Sequence, residues 1–302
     1  MQKILEKKFA AGLSITSNAV IIVLKFIAGT LSGSISIISE AIHSLSDFFA
    51  SILTFFAVMK SSEPADKGHP FGHGRYEDMS GFIEGGLIIA AAMFIVYESL
   101  KKIFLGYSME TESVLGIAVM AISVVANFLV SSYLFHVAKK TDSVSLYADG
   151  EHLRTDILTS LGILTGLIVI KITGIHILDP IIAIVFALVI LKTGFSISKN
   201  TLNNLLDGSL PEEELKKIEN IIASTDNNIL GYKDLRARRS GPDRKIEITL
   251  IFPKQMLVVD CHNICDRIED KIKNELQNCT ISIHAEPECS NKNCSSAVFL
   301  RK

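Results

Sequence analysis

Long apolar runs dominate the chain up to about residue 200, and an alternation of helix and strand signals replaces them after it. Crossing a hydrocarbon core takes about 20 mostly apolar residues. Six segments meet that length, at roughly 9–31, 34–59, 81–103, 113–138, 146–172 and 179–199. Ser32-Gly33-Ser34 is a tight turn that leaves the first two as a helical hairpin. Asp179-Pro180 opens the sixth, with Asp as N-cap and Pro at the first helical position. The pattern predicts an all-α six-helix transmembrane bundle over residues 1–207 and a separate domain over 208–302.

That second domain carries a mixed pattern. Pro211-Glu212-Glu213-Glu214 starts a helix running to about Ser224, with acids in its first turn. Two strand-like runs follow, Gly231–Arg239 and Arg244–Phe252, joined by the hairpin signal Ser240-Gly241-Pro242-Asp243. A helical stretch from about Val258 to Leu276 and a strand from Cys279 to Ala285 complete the order αββαβ. Such a small α+β domain places both helices on one face of an open sheet.

Composition narrows the class. The 302 residues are 48% hydrophobic and 21% charged, with a formal net charge of -2. This excludes a disordered chain, a disulfide-rich secreted module and a purely soluble enzyme. Without a concentrated basic face, nucleic acid is not an expected partner. All five cysteines (Cys261, Cys265, Cys279, Cys289, Cys294) lie in the tail, odd in number and without disulfide spacing, which fits a reducing compartment. The lysine-rich N-terminus precedes an apolar run too long for a signal peptide, so it reads as an uncleaved first span. Lys3, Lys7, Lys8, Lys60, Lys67, Arg75, Lys139 and Lys140 fall on one side of the predicted bundle, against Lys101, Lys102 and Lys171 on the other. The positive-inside rule therefore sets both termini in the cytoplasm.

The chemistry lies in the second and fifth spans. Only about a dozen apolar residues follow Asp47, and Ile157–Ile172 is likewise too short to cross alone. Glu40, His43 and Asp47 on one helix, and Asp149, His152, Arg154 and Asp156 on the other, are drawn into or near the hydrocarbon zone. Ionisable groups there are costly and should face the bundle interior. His43 and Asp47, and His152 and Asp156, are i, i+4 pairs, so each pair shares one helix face. Brought together they make a tetrahedral set of two imidazoles and two carboxylates, the number and type that Zn2+ favours. The bland alternative is a set of polar residues bonding helix to helix, which two such pairs in apolar spans make the weaker reading. Glu40 and Asp149 read as gate or proton-path residues or helix caps rather than ligands. Arg154 reads as snorkelling or paired with Asp149 or Glu151, and Lys25 as snorkelling or ion-paired. In the 60–80 loop, Asp66, His69 and His73 stand among glycines as a three-ligand set. A glycine-rich turn whose histidines bond the backbone explains that spacing equally well.

These stretches resemble the cation diffusion facilitators, proton-coupled exporters of divalent transition metals. The match is carried by Ser39–Asp47, His69–Glu77, Ala148–Asp156, Asp179-Pro180, Leu205-Leu206-Asp207, Asp234-Leu235-Arg236 and Ser240-Gly241-Pro242, and covers nearly the whole chain. The resemblance implies a transport site at His43, Asp47, His152 and Asp156, a loop site at Asp66, His69 and His73, and a ferredoxin- or metallochaperone-like cytoplasmic domain. It implies a homodimer locked by an ion pair that maps onto Arg75 or its neighbour and Asp207. Tail metals in such proteins use histidines on both middle strands, where this chain has Lys233 and Thr249. His262, His284 and Glu286 remain as the tail candidates, while Cys261 and Cys265 fit buried apolar positions.

The expectation is a multi-pass protein of a bacterial inner membrane that exchanges Zn2+ for protons. Zn2+ is both the transported ion and a possible structural or regulatory one, and no organic cofactor is expected. Mn2+, Fe2+, Cd2+ and Co2+ can share such ligands, so they stay open as cargo. An intramembrane zinc hydrolase would need an open coordination position and a general base. Four protein ligands and the lack of an HExxH stretch argue against an enzyme. A sensor or scaffold that binds metal without moving it is the remaining alternative.

Overall fold

The computed structural model describes residues 2–32, 35–105, 114–173, 178–288 and 298–300. The chain divides into two compact units, Met1–Leu202 and Asn203–Lys302.

The first unit is built from six long helices: α1 (Gln2–Ser32), α2 (Ile35–Ser61), α3 (Arg75–Leu105), α4 (Val114–Thr141), α5 (Val144–Thr173) and α6 (Leu178–Leu205). Among the described residues, four helices are long and apolar enough to cross a membrane: Lys3–Ala28, Arg75–Lys101, Ala121–Thr141 and Pro180–Leu205. Every helix runs past the C-terminal end of its predicted apolar segment, and α1, α3, α5 and α6 also start before it, because good helix formers such as Lys, Glu and Gln continue the helix. α2 packs on α1, α3 and α5, and α5 also packs on α4 and α3.

The unit is inverted relative to a soluble protein. Large apolar side chains such as Val23, Phe26, Phe94, Phe128, Leu188 and Phe195 are exposed on its outside. Inside, Ser14, Asn18, Ser51, Thr54, Glu84 and Asp149 are buried. Lipid makes no demand to hide Phe or Leu, so small and polar residues share the interhelix contacts with aliphatic clusters such as Val58, Leu134, Leu146 and Leu153. The tightest crossing shows this: a Cβ on Gly85 of α3 would stand 2.4 Å from Ser198 Oγ and 3.1 Å from the Gly194 carbonyl of α6.

The second unit contains α7 (Glu212–Thr225), β1 (Gly231–Ser240), β2 (Asp243–Phe252), α8 (Val258–Glu275), β3 (Cys279–Pro287) and β4 (Val298–Phe299). The sheet order is β3-β2-β1-β4, with β2 and β3 parallel and the other neighbours antiparallel. The predicted αββαβ order is present, and β4 adds a fourth strand along β1. Ile246, Ile248, Leu250 and Phe252, every second residue of β2, join Ile218 and Ile222 of α7 and Ile264, Ile268 and Ile272 of α8 in one core. The period of two places both helices on the same face. Gly241, at φ 59°, supplies the positive φ that the two-residue hairpin turn requires. β1 is bulged between Lys233 and Arg236, with Asp234 at φ 53°. The extra residue switches parity, so Tyr232 and Ala237 both reach the core although they are five apart.

An ion-pair network ties α7 to this hairpin. Glu214 accepts from Arg244 Nε at 2.7 Å, Arg244 Nη2 at 3.1 Å and Arg239 Nη2 at 2.7 Å. Burial works against ionisation of Glu214, but the Arg244 and Arg239 hydrogen bonds outweigh it and hold the carboxyl below its ordinary value. A depressed pKa contributes stability above the unfolded value of about 4.3 that is lost as pH falls through the folded value. Glu214→Gln should therefore destabilise the domain by about 2 kcal/mol near neutrality, less than breaking a fully buried pair. The deficit should close as pH drops below about 4, measured by hydrogen exchange of the β2 amides.

Candidate metal centre

On α2 and α5 the i, i+4 spacing turns the acids and the histidine toward each other. Asp47 and His152 are each 6% exposed, and His152 Nε2 stands 3.0 Å from Asp47 Oδ1. Asp156, one turn along α5, joins them: ligand atoms of Asp47, His152 and Asp156 all lie within 4.8 Å of one another. His152 Nδ1 is buried without a hydrogen-bond partner. Two carboxylates and an imidazole gathered this closely, with Asp47 and His152 buried, are a donor set for a dication, which would offset their charge. The side chains of His43 and Glu40, the remaining sequence candidates on α2, lie outside the described residues.

Other polar residues of these spans have neighbours within the bundle. Asp149 lies inside α5 rather than at its start, so it is not a helix cap. It accepts a hydrogen bond from Ser51 Oγ at 3.3 Å. Arg154 Nη1 reaches Glu151 at 3.5 Å. Lys25 donates to Ser44 Oγ at 2.8 Å. Glu84 of α3 escaped the sequence reading. It is fully buried, bonded by Thr54 and, at 3.3 Å, by Ser80 Oγ. Its sequence signal is an acid between Ile83 and Gly85, near the edge of an apolar run.

A second group forms in the loop between α2 and α3. Asp66 Oδ1 caps the turn by accepting the backbone N–H of Gly68 at 2.8 Å and of His69 at 2.6 Å. Those bonds, the His69 one foremost, hold its carboxyl below the usual range. Asp66 lies 3.6 Å from His69 Nδ1 and 3.4 Å from His73 Nε2, and the two imidazole centroids are 4.4 Å apart. His73 is 2% exposed, and neither of its ring nitrogens has a hydrogen-bond partner. A turn stabilised only by histidine-to-backbone bonds would have used those nitrogens, so the metal reading gains over the bland one.

The tail candidates are distributed differently. Lys233, Thr249 and His284 sit in register across β1, β2 and β3. Glu286 pairs with Lys233 at 2.7 Å and lies 3.5 Å from His284. His262 is exposed on α8, 3.6 Å from Asp266. Among the described residues only the two earlier groups gather three metal-ligating side chains; His262, His284 and Glu286 are not gathered. Cys265 is a core residue whose thiol burial pushes up to about 11, and Cys261 packs against the same core. Cys289 and Cys294 lie outside the described residues. Arg75 opens α3, and Asp207 pairs with Arg238 at 2.6 Å.

The family model for the cation efflux transmembrane domain matches residues 12–206, and that for the cation efflux protein cytoplasmic domain matches residues 210–288. The chain belongs to the cation diffusion facilitator family. It is 33% identical over 266 residues to an uncharacterized transporter of Methanocaldococcus jannaschii, covering 88% of this chain and 91% of that one. An uncharacterized transporter of Synechocystis sp. is 30% identical over 277 residues, 92% of this chain and 89% of its own. The cation-efflux pump FieF of Escherichia fergusonii is 30% identical over 281 residues, 93% of this chain and 92% of its own. With its apolar helices, this cation diffusion facilitator is a multi-pass membrane protein that belongs among metal-cation transporters.

Proposed function

We propose that the chain exports divalent transition-metal cations, Zn2+ foremost, from the cytoplasm in exchange for protons. The observation that carries the reading is the convergence of buried Asp47 and His152 with half-buried Asp156 between α2 and α5. His43, four residues before Asp47 on α2, is the fourth ligand of this site by its spacing. Two carboxylates and two imidazoles then balance a dication in low dielectric. α2 and α5 complete six crossings, with both termini cytoplasmic in a bacterial inner membrane, and the protein works as a homodimer in which Arg75 and Asp207 contribute an interlock.

In this mechanism Zn2+ enters from the cytoplasm and binds as the imidazoles shed any protons. Rocking of the helices opens the pocket to the far side. Protons there compete for the imidazole lone pairs, and the metal leaves. Metal and protons compete for one set of donor atoms, so neither moves without the other.

Asp66, His69 and His73 form a lower-affinity regulatory site on the cytoplasmic loop, since three protein ligands leave a position for water. Asp66→Asn should weaken zinc binding there about tenfold or more while leaving flux at saturating zinc intact. Zinc titration of the full-length protein alongside uptake assays measures both.

The cargo is tested by uptake of Zn2+, Mn2+, Fe2+, Cd2+ and Co2+, one at a time, into proteoliposomes. Zinc should move fastest. Manganese or iron moving in its place would overturn the metal but keep the transporter. Stoichiometric zinc binding with no flux of any metal would turn the reading to a sensor or scaffold.

A further inference from the structure

The buried polar groups of the first unit form a line that runs past the Asp47–His152–Asp156 pocket. On α2, Asp47, Ser51 and Thr54 follow one face. On α5, Asp149 lies one turn before His152. At 1.5 Å per residue, Asp149 is about 4.5 Å from His152 along the axis, and Thr54 about 10 Å from Asp47. Both displacements run toward the end of the bundle that carries the 62–74 loop.

Here α3 adds Glu84. One of its carboxylate oxygens is committed to Thr54 and Ser80, but Oε2 is buried with no hydrogen-bond partner. Asp149 repeats the arrangement: Ser51 bonds Oδ1, and Oδ2 is buried without a partner. Thr54 and Ser51, three residues apart on α2, tie Glu84 of α3 and Asp149 of α5 to the same stretch of that helix. Leaving a buried carboxylate oxygen unpaired is expensive, and here two helices that pack on α2 each do so. Glu77, one step further out on α3, shows the contrast. It takes Lys7, Ser61 and Ser143 as partners and is a closed structural group.

We propose that Glu84 and Asp149 form a second, oxygen-lined cation station, at which a divalent metal ion pauses between the loop end of the bundle and the transport pocket. The free oxygens Glu84 Oε2 and Asp149 Oδ2 supply its anionic donors, with the Thr54 and Ser51 hydroxyls beside them. The proposal rests on the transport reading above and extends it from a single pocket to a path. Oxygen donors without nitrogen hold a transition-metal ion more loosely than the pocket does, which suits a site that must release its ion inward.

The test uses the full-length protein with Zn2+ as the probe. Wild type, Glu84→Gln, Asp149→Asn and Asp47→Ala are compared for zinc bound per chain at equilibrium and for initial flux into proteoliposomes. Gln keeps the size of Glu84 and its acceptor for Thr54 and Ser80, so it removes charge without removing the clamp. Glu84→Gln is expected to lose one zinc per chain and to lower flux at subsaturating zinc roughly tenfold. Glu84→Asp should recover part of the flux. Wild-type flux in Glu84→Gln, or reduced flux with full zinc stoichiometry, would overturn the station. Unchanged flux in Asp47→Ala would instead sink the transport reading itself, so the two failures are told apart.

Discussion

Asp47→Ala is expected to lower zinc flux at least about a hundredfold while the protein still folds and assembles. Changing a group that only supports a metal ligand costs about 10–100-fold, and Asp47 is proposed as a ligand itself. The loss has two parts. The pocket gives up one of the anionic charges that offset a dehydrated dication, and His152 Nε2 gives up the carboxylate standing 3.0 Å away that orients it. Folding survives because the same substitution removes a buried charge from a helix otherwise packed through Ala50, Ala57 and Val58. Leaving His152 Nε2 unpaired costs on the order of 1–3 kcal/mol, which removal of the carboxylate's own desolvation cost partly offsets. Asp47→Asn keeps the shape and should lose flux nearly as far, which assigns the effect to charge. Uptake by proteoliposomes, with the elution volume of each variant as the check on assembly, measures it. Flux within a few-fold of wild type would remove Asp47 from the site.

The second large effect concerns packing. Gly85→Ala should lower the melting temperature by several degrees and cut the yield of monodisperse protein, whereas Gly86→Ala should not. A Cβ at Gly85 would meet Ser198 Oγ at 2.4 Å and two backbone atoms of α6, Ser198 N at 2.9 Å and Gly194 O at 3.1 Å. A serine hydroxyl can rotate away, but backbone cannot, so α3 and α6 must separate. Overpacking of this kind costs about 1–3 kcal/mol, and van der Waals contact is the chief force holding helices together in lipid. At Gly86 a Cβ meets nothing within 4 Å. Alanine there should be neutral or stabilising by up to about 1 kcal/mol, from helix propensity alone. Thermal unfolding of the two purified variants in the same detergent decides it. Equal behaviour would mean that the Gly85–Gly194 crossing does not hold these helices.

Much of this was legible in the chain, for identifiable physical reasons. The tail elements follow from strong local signals: acids and a proline at the start of α7, a Gly-Pro turn between β1 and β2, and alternating isoleucines in β2. β4 did not, because two residues carry no periodicity, and the bulge at Asp234 did not, because its cause is pairing across strands. In the first unit, two His-x-x-x-Asp pairs in apolar helices pointed to Asp47, His152 and Asp156, whose ligand atoms lie together between α2 and α5; the side chain of His43, the fourth residue of the pairs, lies outside the described residues. Glu84 was overlooked because it sits near the edge of its apolar run, where an acid is inexpensive. Its significance comes from Thr54 and Asp149, which belong to other helices. Ser14, Asn18 and Ser51 were silent for a related reason: small polar residues in a spanning helix carry little signal until the helix that they face is known.

Exchange of metal and protons at one set of ligands is tested by measuring zinc movement in proteoliposomes under an imposed pH gradient, for wild type and Asp156→Ala together. Zinc flux in wild type should run opposite to the proton gradient, reverse when the gradient is reversed, and be absent in Asp156→Ala. Zinc flux that is indifferent to the gradient and equal in both proteins would contradict it.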